Sequence, residues 1–259
     1  MFNLNYIKYE VHNDGIAFVN ISRNSVNSIN NKLLEDLDNV VNDINNNSNC
    51  RVVIFRSSEK HFCGGADLKE RKKMSENQIL DFLAKINNVF DAISNISCPT
   101  ICSINGAALG GGLELALSCD FRIASETAYV GLTETSLGII PGASGIYRLL
   151  SLVGLSKAKY WVFTAQKFTS EVAHQDGVID IITTDDELLG TTLEVAQEII
   201  DNAPIAIKSC NVLFKQLRTN KSLFDKEQIN AYKNVINTKD KKEAIEAFFE
   251  KRKPKWKNE

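Results

Sequence analysis

Hydrophobic and polar residues follow two different rhythms along the first half of this chain. Tyr6 to Val11 and Ile16 to Ile21 alternate around Asn13-Asp14-Gly15, which predicts a β-hairpin. Leu33, Leu37, Val40, Val41 and Ile44 then recur at helical spacing, predicting a helix from Asn31 to Asn45 that ends in an asparagine cluster. Arg51 to Phe55 is a short apolar run of the kind found in strands covered on both faces. Ser75-Glu76-Asn77-Gln78 fits a capping box, and the helix it opens carries Ile79, Phe82, Leu83, Ile86, Val89, Phe90 and Ile93 before Pro99. Thr100 to Ile104 reads as a strand feeding a glycine-rich stretch, and Phe121 to Ala124 as another. Beyond Pro141 the pattern is mainly helical, with one strand near Val178 to Ile182 and helices from Pro204 to Phe249. Strands alternating with helices, followed by helices alone, predict an α/β core with a helical C-terminal region.

Composition narrows the function classes. The 259 residues, 44% hydrophobic and 24% charged, are ordinary for a globular protein with a sizeable core. Lys+Arg 30 against Asp+Glu 32 gives a formal charge of -2, so nucleic acid is not expected as the main partner. The six cysteines form no CxxC pair and His12, His61 and His174 are isolated, so no metal site is expected and the cysteines read as reduced, small hydrophobes. Met1 leads almost directly into the first strand, without room for a targeting segment, and apolar runs are too short to span a membrane. The expected location is the cytoplasm.

Two glutamates stand in settings where a solvated carboxylate is out of place. Glu114 interrupts the apolar run Leu113 to Leu117, directly after Gly110-Gly111-Gly112. Glu134 sits in Gly131-Leu132-Thr133-Glu134, ahead of Ile140-Pro141-Gly142. A buried, unpaired charge costs several kcal/mol, so both point to acid/base work. The glycines leave backbone N–H groups unshielded at a predicted helix start, a site for an oxyanion. Phosphate fits less well, since neither a lysine-bearing P-loop nor G-x-G-x-x-G is present. The loop Phe62-Cys63-Gly64-Gly65-Ala66-Asp67-Leu68 offers a second set of accessible amides. Two N–H groups from separate loops form a better oxyanion hole than either alone.

The segments Gly64 to Leu68, Asn105 to Glu114 and Glu134 to Gly142 strongly resemble the crotonase (enoyl-CoA hydratase/isomerase) superfamily. The stretch Ala66-Asp-Leu-Lys-Glu-Arg-Lys-Lys-Met74 is most similar to the 3-methylglutaconyl-CoA hydratase branch. The resemblance implies a spiral of β-β-α turns over residues 1–200, closed by a helical trimerisation or lid region at 201–259, and assembly as a homotrimer or homohexamer. It implies that the Ala66 and Gly111 N–H groups hold a thioester oxygen, that Glu114 and Glu134 are the acid/base pair, and that Gly142 helps hold the attacking water. It places coenzyme A, as part of the substrate rather than a cofactor, against Gly64, Gly65, Ala66, Asp67, Leu68 and Lys69. Phe248 and Lys251 would reach in from the tail. Ser144, Ile146 and Tyr147 depart from the more usual Gly, Thr and Gln and are expected to reshape the acyl pocket.

The resulting expectation is hydration of a 2-enoyl-CoA, either 3-methylglutaconyl-CoA or a short-chain thioester. One rival is Δ3–Δ2 isomerisation in the same pocket, which needs a single glutamate. Another is RNA binding, which the resemblance attributes to lysines on the first helix. That helix carries one lysine and four acids, a poor match for a phosphate backbone.

Overall fold

The computed structural model describes residues 4–216 and 238–259. Strands β1 (Ile7–Val11) and β2 (Ile16–Ile21) form the predicted hairpin, with Gly15 at φ +90° closing the turn. Then β3 (Val52–Ser57), β4 (Thr100–Ile104), β6 (Phe121–Ser125) and β9 (Ile181–Thr183) extend the sheet in the order β1-β2-β3-β4-β6-β9, parallel from β2 onward. All five residues of β4 are buried, as expected for a parallel strand covered on both faces. A second, smaller sheet contains β5 (Ala107–Leu109), β7 (Tyr129–Gly131) and β8 (Phe168–Thr169).

Isolated bridges Ile29–Ala66 and Cys63–Ala108 extend this second layer across the earlier chain segments. Each turn of the chain therefore runs from the large sheet to the small layer and then into a helix. After β2 comes Ile29, then α1 (Asn31–Asn46); after β3 come Cys63 and Ala66, then α2 (Leu68–Arg71) and α3 (Glu76–Ser94). After β4 come β5 and α4 (Gly111–Ala116); after β6 come β7, a 3₁₀ turn at Glu134–Leu137, and α5 (Gly145–Thr164). This is the β-β-α spiral that the resemblance implies.

The helices form for the reasons their sequences give. Asn30 caps α1 by accepting from Leu33 N, and its Leu33, Leu37, Val40, Val41 and Ile44 stripe is buried. Asp36, one of its four acids, is also buried and accepts from the Asn5 and Tyr6 backbone N–H groups at 2.8 Å each. The capping box at Ser75 and Gln78 is complete. The main core lies between one sheet face and α1, α3 and α5, while α7 (Leu188–Ile200) covers the other face through Leu188 and Ala196. Helix α6 (Ser170–Gln175) links β8 toward β9, so the late strand begins at Ile181 rather than near Val178. Helices α8 (Pro204–Gln216) and α9 (Lys239–Glu250) complete the described chain. Asn211 on α8 donates to Ile96 O and Ser97 O, tying that helix to the end of α3.

Five cysteines are buried and Cys210 is exposed; none of them is in a disulfide. Among the described residues no helix is long and apolar enough to cross a membrane, and no group of three His, Cys, Asp or Glu is placed to hold a metal.

Candidate active site

The small layer brings two loops together. Gly64 N donates to Val26 O on one side, and Cys63 N to Ala107 O on the other, so the Phe62–Asp67 loop is strapped beside β5. A Cβ on Gly111 would lie 3.6 Å from Ala66 N, which makes the Ala66 and Gly111 amides close neighbours. Neither N–H has an acceptor among the described residues, and α4 starts at Gly111 with its dipole behind that amide. Gly112 does something different: a Cβ there would stand 2.0 Å from Cys63 O, so the third glycine lets α4 pack against the loop.

Glu114 projects from α4 and is 3% exposed. Its Oε1 accepts from Ala143 N at 2.8 Å and Gly145 N at 3.0 Å. A Cβ on Gly145 would reach 2.7 Å from that oxygen, so only glycine admits the carboxylate. Burial pushes the Glu114 carboxyl above its ordinary value, while the two N–H donors and the Arg148 charge pull against that rise. Arg148 is itself buried, donating to Ala143 O at 2.7 Å and Asp91 Oδ1 at 2.6 Å. It therefore fixes the turn that grips Glu114.

Glu134 opens the 3₁₀ turn after β7 and is 8% exposed. Its Oε2 is buried without a hydrogen-bond partner among the described residues. Burial first, and then the charge of Glu114, push it up to about 7. Two carboxyls that feel each other this way titrate as a pair.

Both glutamates line one cleft. Gly64, Gly65, Ala66, Gly111 and Gly142 line it too. Its apolar walls are Phe82, Leu83 and Ile86 from α3, with Leu137, Ile139 and Ile140 opposite. Gly142 approaches Leu83 closely, its carbonyl accepts from Asn87 Nδ2, and its N–H has no acceptor among the described residues.

The remaining predicted residues are placed less uniformly. Leu68 lines the cleft at its exposed rim. Asp67 turns away: it caps α2 through Lys69 N and Glu70 N and pairs with Arg23 at 2.7 Å. Lys69 and Lys251 are exposed and outside the lining. The Phe248 side chain lies outside the described residues, although its backbone is in α9. Ser144, Ile146 and Tyr147 do not line the cleft as expected. Ser144 donates to Asn87 Oδ1 at 3.0 Å, whereas Ile146 and Tyr147 are exposed on the first turn of α5.

Sequence reasoning missed Arg71, Asn87, Ala143, Gly145 and Arg148. Arg148 carried a readable signal, a charge within the apolar stretch Gly145 to Leu150, the same kind that singled out Glu114. Asn87 and the two backbone donors carried none.

Comparison with known proteins agrees with this geometry. A profile of the enoyl-CoA hydratase/isomerase family matches residues 11–259. YngF of Bacillus subtilis, whose name gives both hydratase and isomerase, is 39% identical, covering 97% of this chain and 98% of its own. The mitochondrial methylglutaconyl-CoA hydratase of Mus musculus is 37% identical over 96% of this chain and 82% of its own. The crystal structure of an enoyl-CoA hydratase from Bacillus anthracis superimposes with a TM-score of 0.95 at 37% identity, covering 98% of this chain and 100% of that one. The spiral, the paired amides, the two glutamates and these matches lead to one conclusion: the chain belongs to the enoyl-CoA hydratase/isomerase, or crotonase, family.

Proposed function

We propose that this protein adds water across the 2,3 double bond of an enoyl-CoA thioester. The observation that carries this reading is a pair of buried glutamates facing the same cleft as two backbone N–H groups without acceptors among the described residues. The thioester oxygen sits on the Ala66 and Gly111 amides, which draws electrons toward it and leaves C3 electrophilic. Glu114, oriented by Ala143 N and Gly145 N, takes a proton from water as the water oxygen bonds to C3. The π electrons of the double bond shift onto the enolate, and Glu134 delivers a proton to C2. Water is consumed whole and nothing is oxidised or reduced. Gly142 lines the cleft, and its N–H, without an acceptor among the described residues, serves in this reading to orient that water.

Isomerisation needs one proton-shuttling acid, and the presence of two favours hydration. Coenzyme A belongs to the substrate, and no further cofactor enters these steps. The working unit is a homotrimer, alone or paired, which gives a use to the exposed Leu155 and Phe163 on α5. The test is loss of the enoyl-thioester absorbance with crotonyl-CoA, longer enoyl-CoA and 3-methylglutaconyl-CoA. Steady loss with at least one of them supports hydration, and none with any of them refutes it.

A further inference from the structure

Glu114 Oε1 accepts from two backbone N–H groups that are held in place by different means. Gly145 N belongs to the Ser144–Gly145 peptide, whose carbonyl accepts from Arg148 N in the first turn of α5. Helix geometry fixes that donor. Ala143 N belongs to the Gly142–Ala143 peptide, which lies ahead of the helix. Its carbonyl accepts from Asn87 Nδ2 on α3, and from no other donor among the described residues. A peptide unit is a rigid plane with its C=O and N–H at opposite edges. Asn87 holds one edge of this plane and Glu114 accepts from the other. Any swing of the Gly142 carbonyl therefore carries Ala143 N away from the carboxylate.

Asn87 grips the far side of the turn as well. Its Oδ1 accepts from Ser144 Oγ at 3.0 Å, and its Nδ2 also donates to Leu83 O at 2.9 Å, which ties the amide to its own helix. Ser144 has φ +62°, in the left-handed region that suits glycine and strains a serine. That backbone turns Ala143 N and Gly145 N toward one oxygen. The hydroxyl's bond to Asn87 offsets the strain and keeps the turn in this form.

We infer that Asn87 is a positioning residue for the proposed base: through the Gly142–Ala143 peptide and the Ser144 hydroxyl, it holds the turn that orients Glu114. The inference rests on the hydratase reading above for the role of Glu114, and deepens it.

Two experiments separate this inference from the reading beneath it. The first needs no turnover. The infrared band of protonated carboxyls is titrated in wild type and Asn87→Leu, with Glu114→Gln marking the component that belongs to Glu114. The charged groups that act on this carboxyl are Arg148 on α5, paired with Asp91 on α3, and Glu134 on the 3₁₀ turn, on which Arg71 acts in turn. The substitution leaves all four in place. Ala143 N favours the charged form of Glu114, so loosening it should move the titration upward by about one pH unit. Ser144→Ala should move it in the same direction, so the test does not depend on one variant. An unmoved titration in both overturns the inference.

The second experiment follows crotonyl-CoA hydration. Asn87→Leu should lower kcat by about a hundredfold, while butyryl-CoA, a saturated ligand, binds as it does to wild type. Ser144→Ala keeps the strain and loses the hydroxyl, so it should lower kcat about tenfold in wild type and hardly at all in Asn87→Leu. Ser144→Gly should keep most of the activity, because glycine takes the left-handed backbone unaided. Losses from Asn87→Leu and Ser144→Ala that simply multiply would mean that the two side chains act independently. Loss of butyryl-CoA binding in step with kcat would reduce Asn87 to general packing; either result overturns the inference. Failure of wild type to hydrate any enoyl-CoA would sink the hydratase reading, while the infrared titration would still decide whether Asn87 governs Glu114.

Discussion

At the scale of single residues, the two glutamates carry different burdens. Glu114 is anchored by two N–H groups and a buried arginine behind them, whereas one oxygen of Glu134 has no hydrogen-bond partner among the described residues. Replacing either with glutamine should lower kcat by roughly 10²–10⁴-fold with little change in coenzyme A affinity, read by steady-state absorbance and by binding of a saturated acyl-CoA. Wild-type turnover in one variant would remove that residue from the chemistry. The proton on Glu134 also sets a pH dependence. With its carboxyl pushed up to about 7, activity on the alkaline side should fall as pH rises through that value, because Glu134 then loses the proton it is proposed to deliver. The same shift weakens the fold: Glu134 rises from an ordinary 4.5, so its stabilising contribution is full below 4.5 and fades as pH climbs to 7. The loss amounts to roughly 3 kcal/mol, taking about 1.4 kcal/mol per pH unit. Glu134→Gln should therefore melt higher than wild type at pH 8 and alongside it near pH 4. Equal melting temperatures at both pH values would mean that burial does not strain this carboxyl. These two acids were legible in the sequence because charge inside an apolar, glycine-studded run is anomalous. Asn87, Ala143 and Gly145 were not, since each acts through an ordinary amide that the fold alone brings into place.

Among the elements, legibility followed length. The capping box of α3 and the buried stripe of α1 could be read directly because long periodic helices repeat their signal several times. Strands β5, β7 and β8 hold two or three residues each, too few for any alternation to show. Helix α2 is a single turn, defined by the Asp67 cap rather than by periodicity. The glycine triplet divides its roles between a helix start and a packing contact that only the folded loop explains. Gly112→Ala should cost about 3 kcal/mol or more, since its Cβ would meet backbone rather than a flexible side chain. Thermal melting checks this, and a near-unchanged midpoint would show that α4 can move away from Cys63. Gly111→Pro should instead act chiefly on catalysis, removing an amide hydrogen from the proposed oxyanion site.

For the molecule as a whole, alternation of strands and helices indicated an α/β class, but the spiral itself came only from the resemblance. Nothing in local periodicity says that each strand of the large sheet hands the chain to a second layer before the next helix. That handover places Ala66 beside Gly111 and sets both glutamates on one cleft, so the site is a property of the winding. The exposed apolar side chains of α5 lead to a prediction at this scale. Light scattering after size exclusion should give three or six copies of the chain, and a stable monomer would contradict the proposed assembly. The central claim is that paired acids add water to an enoyl thioester. The most direct test is to incubate crotonyl-CoA with the protein in ¹⁸O-enriched water and locate the label by mass spectrometry. The account predicts ¹⁸O on C3 of a 3-hydroxyacyl product with wild type and none with the Glu114→Gln, Glu134→Gln double variant. An unlabelled acyl chain with wild type, or label acquired equally by the double variant, would contradict it.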